Sequence, residues 1–230
     1  TNVGNVNVAL PKSGGTWDTG SPVTDTSNSG GLSPAERSLF LSLQFDTIYQ
    51  TQTTTFTLAQ PSPGVQFTVF DIDYAVADFA DKLTVVGYNG STPAYPTLTN
   101  RTANFIVGSS AVGDGASDGT QSAGNVVVTF TSEIDKIEVI YGNDAAAPPN
   151  PDGQAISIHD LTFCKPIQYD WSDAPSGYGT ARHVINSSFR IGATIDAEVA
   201  AASSTGATGD DTAGSDDEDG VSLPSMQAGP

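Results

Sequence analysis

Apolar residues recur at every second position over most of the first 165 residues. "LFLSLQFDTIY" (39–49), "TTFTLAQ" (53–59), "VQFTVFDID" (65–73), "KLTVVGY" (82–88), "NVVVTFT" (125–131), "KIEVIYG" (136–142) and "AISIHDLTFC" (155–164) share this pattern. Such alternation puts one face of an extended strand on a core and leaves the other in water. Strands of this kind between Gly, Pro, Asn and Asp turns predict an all-β fold, an antiparallel two-sheet sandwich of jelly-roll-like form. "VNVAL" (6–10) reads as an added edge strand. Helical spacing is nearly absent. The exception is "SPAERSLF" (33–40), where Ser33 suits a cap, Pro34 the first turn, and Glu36 stands three past the cap. A second short turn of helix fits 76–82.

The alternation stops after "FCKP" (163–166), and Cys164 is expected to be a small buried hydrophobe. Beyond it only "HVINSSFRIG" (183–192) reads as a strand. The expected organisation is therefore a β-sandwich over 1–166 and an Asp-rich module over 167–230 that leads into a further domain. Large apolar side chains are too sparse in the second segment for it to build a core of its own.

Charge sharpens that boundary. Residues 1–169 hold 16 acids and six bases, a net of −10, whereas residues 170–230 hold ten acids and two bases, a net of −8. The whole chain of 230 residues carries −18. A surface this acidic excludes nucleic acid and anionic lipid as partners. No apolar run approaches a membrane span, so no direct membrane insertion is expected. A single cysteine rules out an internal disulfide and the paired-cysteine zinc patterns. The opening "TNVGNVNVAL" has neither an initiating Met nor a signal peptide, and the chain reads as a piece of a longer secreted protein.

The densest chemistry is "GDDTAGSDDEDGV" (209–221), with six carboxylates and no cation. One reading is a solvated linker. The preferred one is calcium, a hard cation that takes oxygen from carboxylates, backbone carbonyls and water. Asp210 or Asp211 is expected to share an ion with Asp216, Asp217 or Asp219, because the intervening Thr-Ala-Gly-Ser is short and flexible. Glu218 is left to solvent. Asp196 and Glu198, spaced by one residue, point to the same side of an extended chain. Asp170 and Asp173 complete the shell or hold a second ion. The spacing is not that of an EF-hand. In the first segment, Asp71, Asp73, Asp81 and Asp160 form a weaker candidate set, with Asp71 and Asp73 read equally well as turn residues.

"YDWSDAPSGYGTARHVI", "IGATIDAE" and "GDDTAGSDDEDGV" together resemble a module of large bacterial surface proteins and adhesins. Its pattern is D-x-x-D-A-P-x-x-Y-G-T, then G-x-x-x-D-A-E, then G-D-D, then D-E-D-G-V, and it commonly precedes a GEVED-type domain. The likeness covers residues 169–221. More loosely, "FDID…DKLTVVGYN" and "ISIHDLTFC" resemble the jelly-roll sandwiches that precede this module. The resemblance implies an extracellular, calcium-bound, non-catalytic spacer or presenting module on the bacterial cell surface, whose partners are adjacent domains of the same polypeptide. In related sandwiches a structural calcium pins the last strand to an early loop, which would give Asp160 a role.

Two other readings compete. One is a head that binds carbohydrate, a cell-surface glycan, through the sandwich face or loop 89–120. In it Trp17, Trp171, Tyr49, Tyr74, Tyr88, Tyr95 or Tyr141 would stack on sugar rings, against the plainer expectation that each packs in the core or on a sheet. The other is a filament subunit whose opening strand adds to a neighbouring subunit. "GASDG" matches the G-x-S-x-G nucleophile pattern at Ser117, but no helix pattern follows, and a loop is expected. No enzyme activity is expected. "GDGASDG" (113–119) reads as a plain flexible turn.

Overall fold

A computed structural model describes residues 5–164, 167–186, 188, 195, 197–198, 200–206 and 208–209. The chain divides into two compact units, Thr1–Pro166 and Ile167–Pro230. The first holds strands β1 (Asn7–Ala9), β2 (Thr16–Trp17), β3 (Val23–Asp25), β4 (Ser38–Gln44), β5 (Thr51–Ser62), β6 (Gln66–Phe70), β7 (Tyr74–Ala75) and β8 (Phe79–Asn89). It continues with β9 (Thr92–Ala94), β10 (Thr97–Thr99), β11 (Asn104–Val107), β12 (Ser110–Gly113), β13 (Val126–Thr129), β14 (Ile134–Asn143) and β15 (Gln154–Thr162).

These strands build two antiparallel sheets that do not close into a barrel. One runs β1-β5-β14-β8-β12-β11, with β7 and β9 also on β8; the other runs β10-β13-β6-β15-β4-β2, with β3 on β4. The unit is a β-sandwich, as the alternation predicts. The inward residues of each strand meet in one core: Phe56, Leu83, Val85, Ile137 and Val139 from the first sheet, Leu41, Leu43, Phe67, Val69, Val126, Val128 and Ile156 from the second. Phe56 and Phe67 meet across the sheets at 6.5 Å, and Phe45 meets Tyr141 edge-on at 6.0 Å.

Three local expectations fail. "SPAERSLF" forms no helix, and its last residues open β4, whose Leu39 and Phe40 pair with Ile158 and Ser157 of β15. An eight-residue helix is marginal in water, whereas a central strand gains a ladder on each side. Residues 76–82 likewise turn into β8, which begins at Phe79. Cys164 is exposed, because β15 ends at Thr162 and the cysteine lies past the covered part of the strand. The "VNVAL" strand forms, but it pairs within its own chain, with Asn7–Ala9 on Thr55–Thr57 of β5.

The second unit is small. Strands β16 (Tyr169–Trp171) and β17 (Arg182–Val184) pair around a short 3-10 turn at Ser176–Tyr178. The Arg182 guanidinium lies over the rings of Tyr169 (4.2 Å) and Trp171 (5.0 Å). No described residue of either unit lies in an α-helix.

Candidate functional site

β6 ends at Phe70, and the chain then turns through "DIDYA" into the tight β7–β8 pairing, Tyr74 on Ala80 and Ala75 on Phe79. That hairpin brings Asp73 against Asp81. The Asp81 amide donates to the Asp73 carbonyl (3.0 Å), and the Asp73 amide donates to Oδ2 of Asp81 (3.2 Å). Asp81 shares the inward parity of Leu83 and Val85, so it stands on the core side of its strand and is fully buried.

Burial of a carboxylate demands partners. Oδ1 of Asp81 accepts from the Tyr141 hydroxyl (2.8 Å) and from Nε2 of Gln154 (2.8 Å). Gln154 also donates to the Tyr141 oxygen, while its own Oε1 accepts from Asn143 (2.8 Å). These groups close one end of the core with a polar network. Burial, reinforced by the nearby Asp73 charge, holds the Asp81 carboxyl well above the ordinary range. Burial and then Asp81 push the Tyr141 phenol up as well.

Asp71 faces a second loop. Its backbone is left-handed, φ 71°, a conformation Asp tolerates better than most residues. Oδ2 accepts from Nδ2 of Asn28 (3.3 Å), while Oδ1 is buried with no hydrogen-bond partner. Desolvation, followed by the charge of Asp73, raises this carboxyl to about 7; Asn28 opposes the rise and Asp118 adds to it. Asp73 is raised in the same way by burial, opposed by the Ser117 amide that donates to its Oδ2 at 2.7 Å.

"GDGASDG" is no plain turn, because its backbone is strapped onto the acids. Gly115 O accepts from the Tyr74 amide (3.1 Å) and Gly119 O accepts from Gly30 (2.9 Å); just beyond the segment, Gly124 O accepts from Ile72 (2.8 Å). The Ser117 hydroxyl accepts from the Gly124 amide (3.1 Å), which fixes it as a loop-bracing group. Asp118 folds back onto Thr120, whose hydroxyl and amide hold its carboxyl below the ordinary range.

The structure thus brings Asp71, Asp73 and Asp81 together, with Asn28, Ser117, Asp118, Tyr141 and Gln154 around them. No ion pair joins these acids to a described Lys, Arg or His. Among the described residues no three His, Cys, Asp or Glu side chains are grouped so as to hold a metal ion. Asp81 and one oxygen of Asp73 are already engaged, so a cation at Asp71 would draw the rest of its shell from neutral oxygens. One buried oxygen of Asp71 has no hydrogen-bond partner, and a carboxylate oxygen is the type of donor that a hard divalent cation takes. Asp160 is exposed and faces a different place, a pocket on the outer side of the second sheet.

In the second unit Asp173 and Glu198 act on backbone. Asp173 is buried, its Oδ2 accepting from Gly209 (3.1 Å) and its carbonyl from Ser204 (2.9 Å). Oε2 of Glu198 accepts from the Trp171 amide at 2.7 Å, and the Glu198 amide donates to the Tyr169 carbonyl at 3.0 Å. Asp170 sits opposite His183 across the strand pair. Asp196, Asp210, Asp211, Asp216, Asp217 and Asp219 lie outside the described residues, as does Glu218. Of the aromatics, Tyr141 is wholly in the core and Trp17 packs against it, while Tyr49 and Tyr95 are exposed.

The chain was compared with protein-family models, curated proteins and solved structures, and no match was found in any of the three.

Proposed function

We propose that the chain is a non-catalytic, calcium-stabilised module of a large secreted or cell-surface bacterial protein, an adhesin-type spacer or presenting domain. The observation that carries this reading is the Asp71 carboxylate. It is held beside Asp73 and Asp118 with one oxygen buried and unmatched, in a loop pair with no cation to neutralise it. Loop 113–124 is bonded to Ile72 and Tyr74 through its backbone, and loop 25–31 joins it through Gly30 and reaches Asp71 through the Asn28 side chain. A divalent ion there ties three chain segments together and binds only the folded form, which raises stability by mass action. The acid-rich stretch of the second unit extends the same logic, since clustered carboxylates repel until a cation is shared between them.

A thermal melt in excess EDTA and in millimolar calcium tests it. The midpoint is expected to rise in calcium, and Asp71→Asn is expected to remove most of the part that belongs to the sandwich while leaving the metal-free midpoint unchanged or higher. A calcium concentration one hundred times the dissociation constant corresponds to about 2.7 kcal/mol. Identical melting in both buffers would sink the calcium reading.

A further inference from the structure

The outer face of the second sheet carries a pocket of about 370 Å³, near the lower end of the roughly 300–1,000 Å³ typical of small-molecule sites. Its floor is set by register. Val127 pairs with Thr68 on one side and His159 pairs with Thr68 on the other, so these three stand in one row across β13, β6 and β15. Their neighbours Val126, Val128, Phe67, Val69 and Ile158 point into the core, which turns the row outward. The Phe70 ring stacks on the His159 imidazole at 5.0 Å. Gly30 closes down on that ring: a side chain there would lie 2.4 Å from Phe70, and its φ of 57° already favours glycine.

One floor group is left wanting. Asn125 is 9% exposed, and Oδ1 of its side chain is buried with no partner. The amide cannot be turned round to cure this, because Nδ2 donates to the Gly30 carbonyl at 2.9 Å and a flip would set two oxygens together. His159 is engaged by Glu36 through Nε2 at 3.2 Å. The rim holds one cation and one anion, Arg101 and Asp160, both exposed.

We infer that this pocket binds a single neutral sugar residue. The floor asks for a hydrogen-bond donor, the rim offers a donor and an acceptor, and the Leu32 and Val127 side chains offer apolar surface. Adjacent ring hydroxyls both donate and accept, and the C–H face of a sugar ring is apolar. An anionic ligand would meet Asp160 and a chain of net charge −18. A cationic one would meet Arg101. The site lies on a sheet face and does not depend on the cation reading above.

The test is titration of the isotope-labelled full chain with D-glucose, D-galactose, D-mannose and N-acetyl-D-glucosamine, with D-glucuronate as the charged control, followed by amide NMR. At least one neutral sugar is expected to move the Thr68, Asn125, Val127 and His159 signals with millimolar affinity. Val127→Phe fills the pocket from an outward position that leaves the core untouched, and it is expected to abolish those shifts. Arg101→Ala is expected to weaken binding roughly fivefold, the loss of about one hydrogen bond. No neutral sugar moving these signals, undiminished binding in Val127→Phe, or glucuronate binding as well as glucose would each overturn the proposal.

Discussion

Metal-free protein should lose several kcal/mol of stability as the pH rises from about 4 to about 7. The Asp71 carboxyl stands at about 7 in the folded chain against an ordinary 3.8. Between these values the folded state keeps a proton that the unfolded chain gives up. Stability from this group is therefore fully present below the lower value and is lost as the pH climbs through the upper one. A gap of about 3 pH units at about 1.4 kcal/mol each gives an upper figure of about 4 kcal/mol. Asp73 and Asp81 are raised too and act in the same direction. Calcium should flatten the profile, because an ion on Asp71 favours the charged form. Urea midpoints across that range, in EDTA and in calcium, check both statements. A flat profile in EDTA would contradict the burial of Asp71, and identical profiles in the two buffers would contradict the cation.

Asp81→Leu is expected to be the most damaging single change in the polar network, at about 3–5 kcal/mol. It removes the acceptor for the Tyr141 hydroxyl, for Gln154 Nε2 and for the Asp73 amide. The Tyr141 hydroxyl and the Asp73 amide are left buried and unmatched, at about 1–3 kcal/mol each, while Gln154 keeps its bond to the Tyr141 oxygen. Tyr141→Phe, which takes away one donor and leaves the acceptor its other partner, should cost only about 1–2 kcal/mol. The two changes share one hydrogen bond, so the double variant should cost less than the sum. Chemical denaturation of the four proteins measures the coupling. Strict additivity would mean that Asp81 and Tyr141 do not act as a pair.

The sandwich was legible in the sequence because its long strands obey one rule. Leu41-Ser42-Leu43-Gln44 in β4, Gln66-Phe67-Thr68-Val69 in β6 and Leu83-Thr84-Val85 in β8 alternate in polarity, and burial follows that parity. The strands missed are β2, β3, β7, β9 to β12 and β16, which span two to four residues each. Segments that short carry too few alternations to be told from loop. At 33–40 a good capping pattern lost to tertiary pairing, which no local signal announces.

The candidate site was half legible. Asp71, Asp73 and Asp81 could be singled out because they lie within eleven positions. Asn28, Tyr141 and Gln154 could not, since the contacts that recruit them join positions 43 to 73 residues apart. One clue was present: Asp81 occupies an inward position of an otherwise apolar alternation, and an inward acid has to find buried donors somewhere. Asp160 shared composition with the other three but lines a separate pocket, and spacing alone could not separate them.

The two ends of the sandwich unit are anchored unequally. The first strand touches the structure along one side only, through three residue pairs at the rim of its sheet. The last strand, nine residues long, is inserted between β6 and β4 and bonded on both flanks. Under tension applied through the two termini, the leading end should come away first, while the trailing end holds until the second sheet itself is torn. The early step would release about ten residues of slack, roughly 35 Å, and leave the core closed. Under such a load the unit would act as a short extensible leader in series with a stiff block, so that a sudden pull is absorbed before it reaches the rest of the fold.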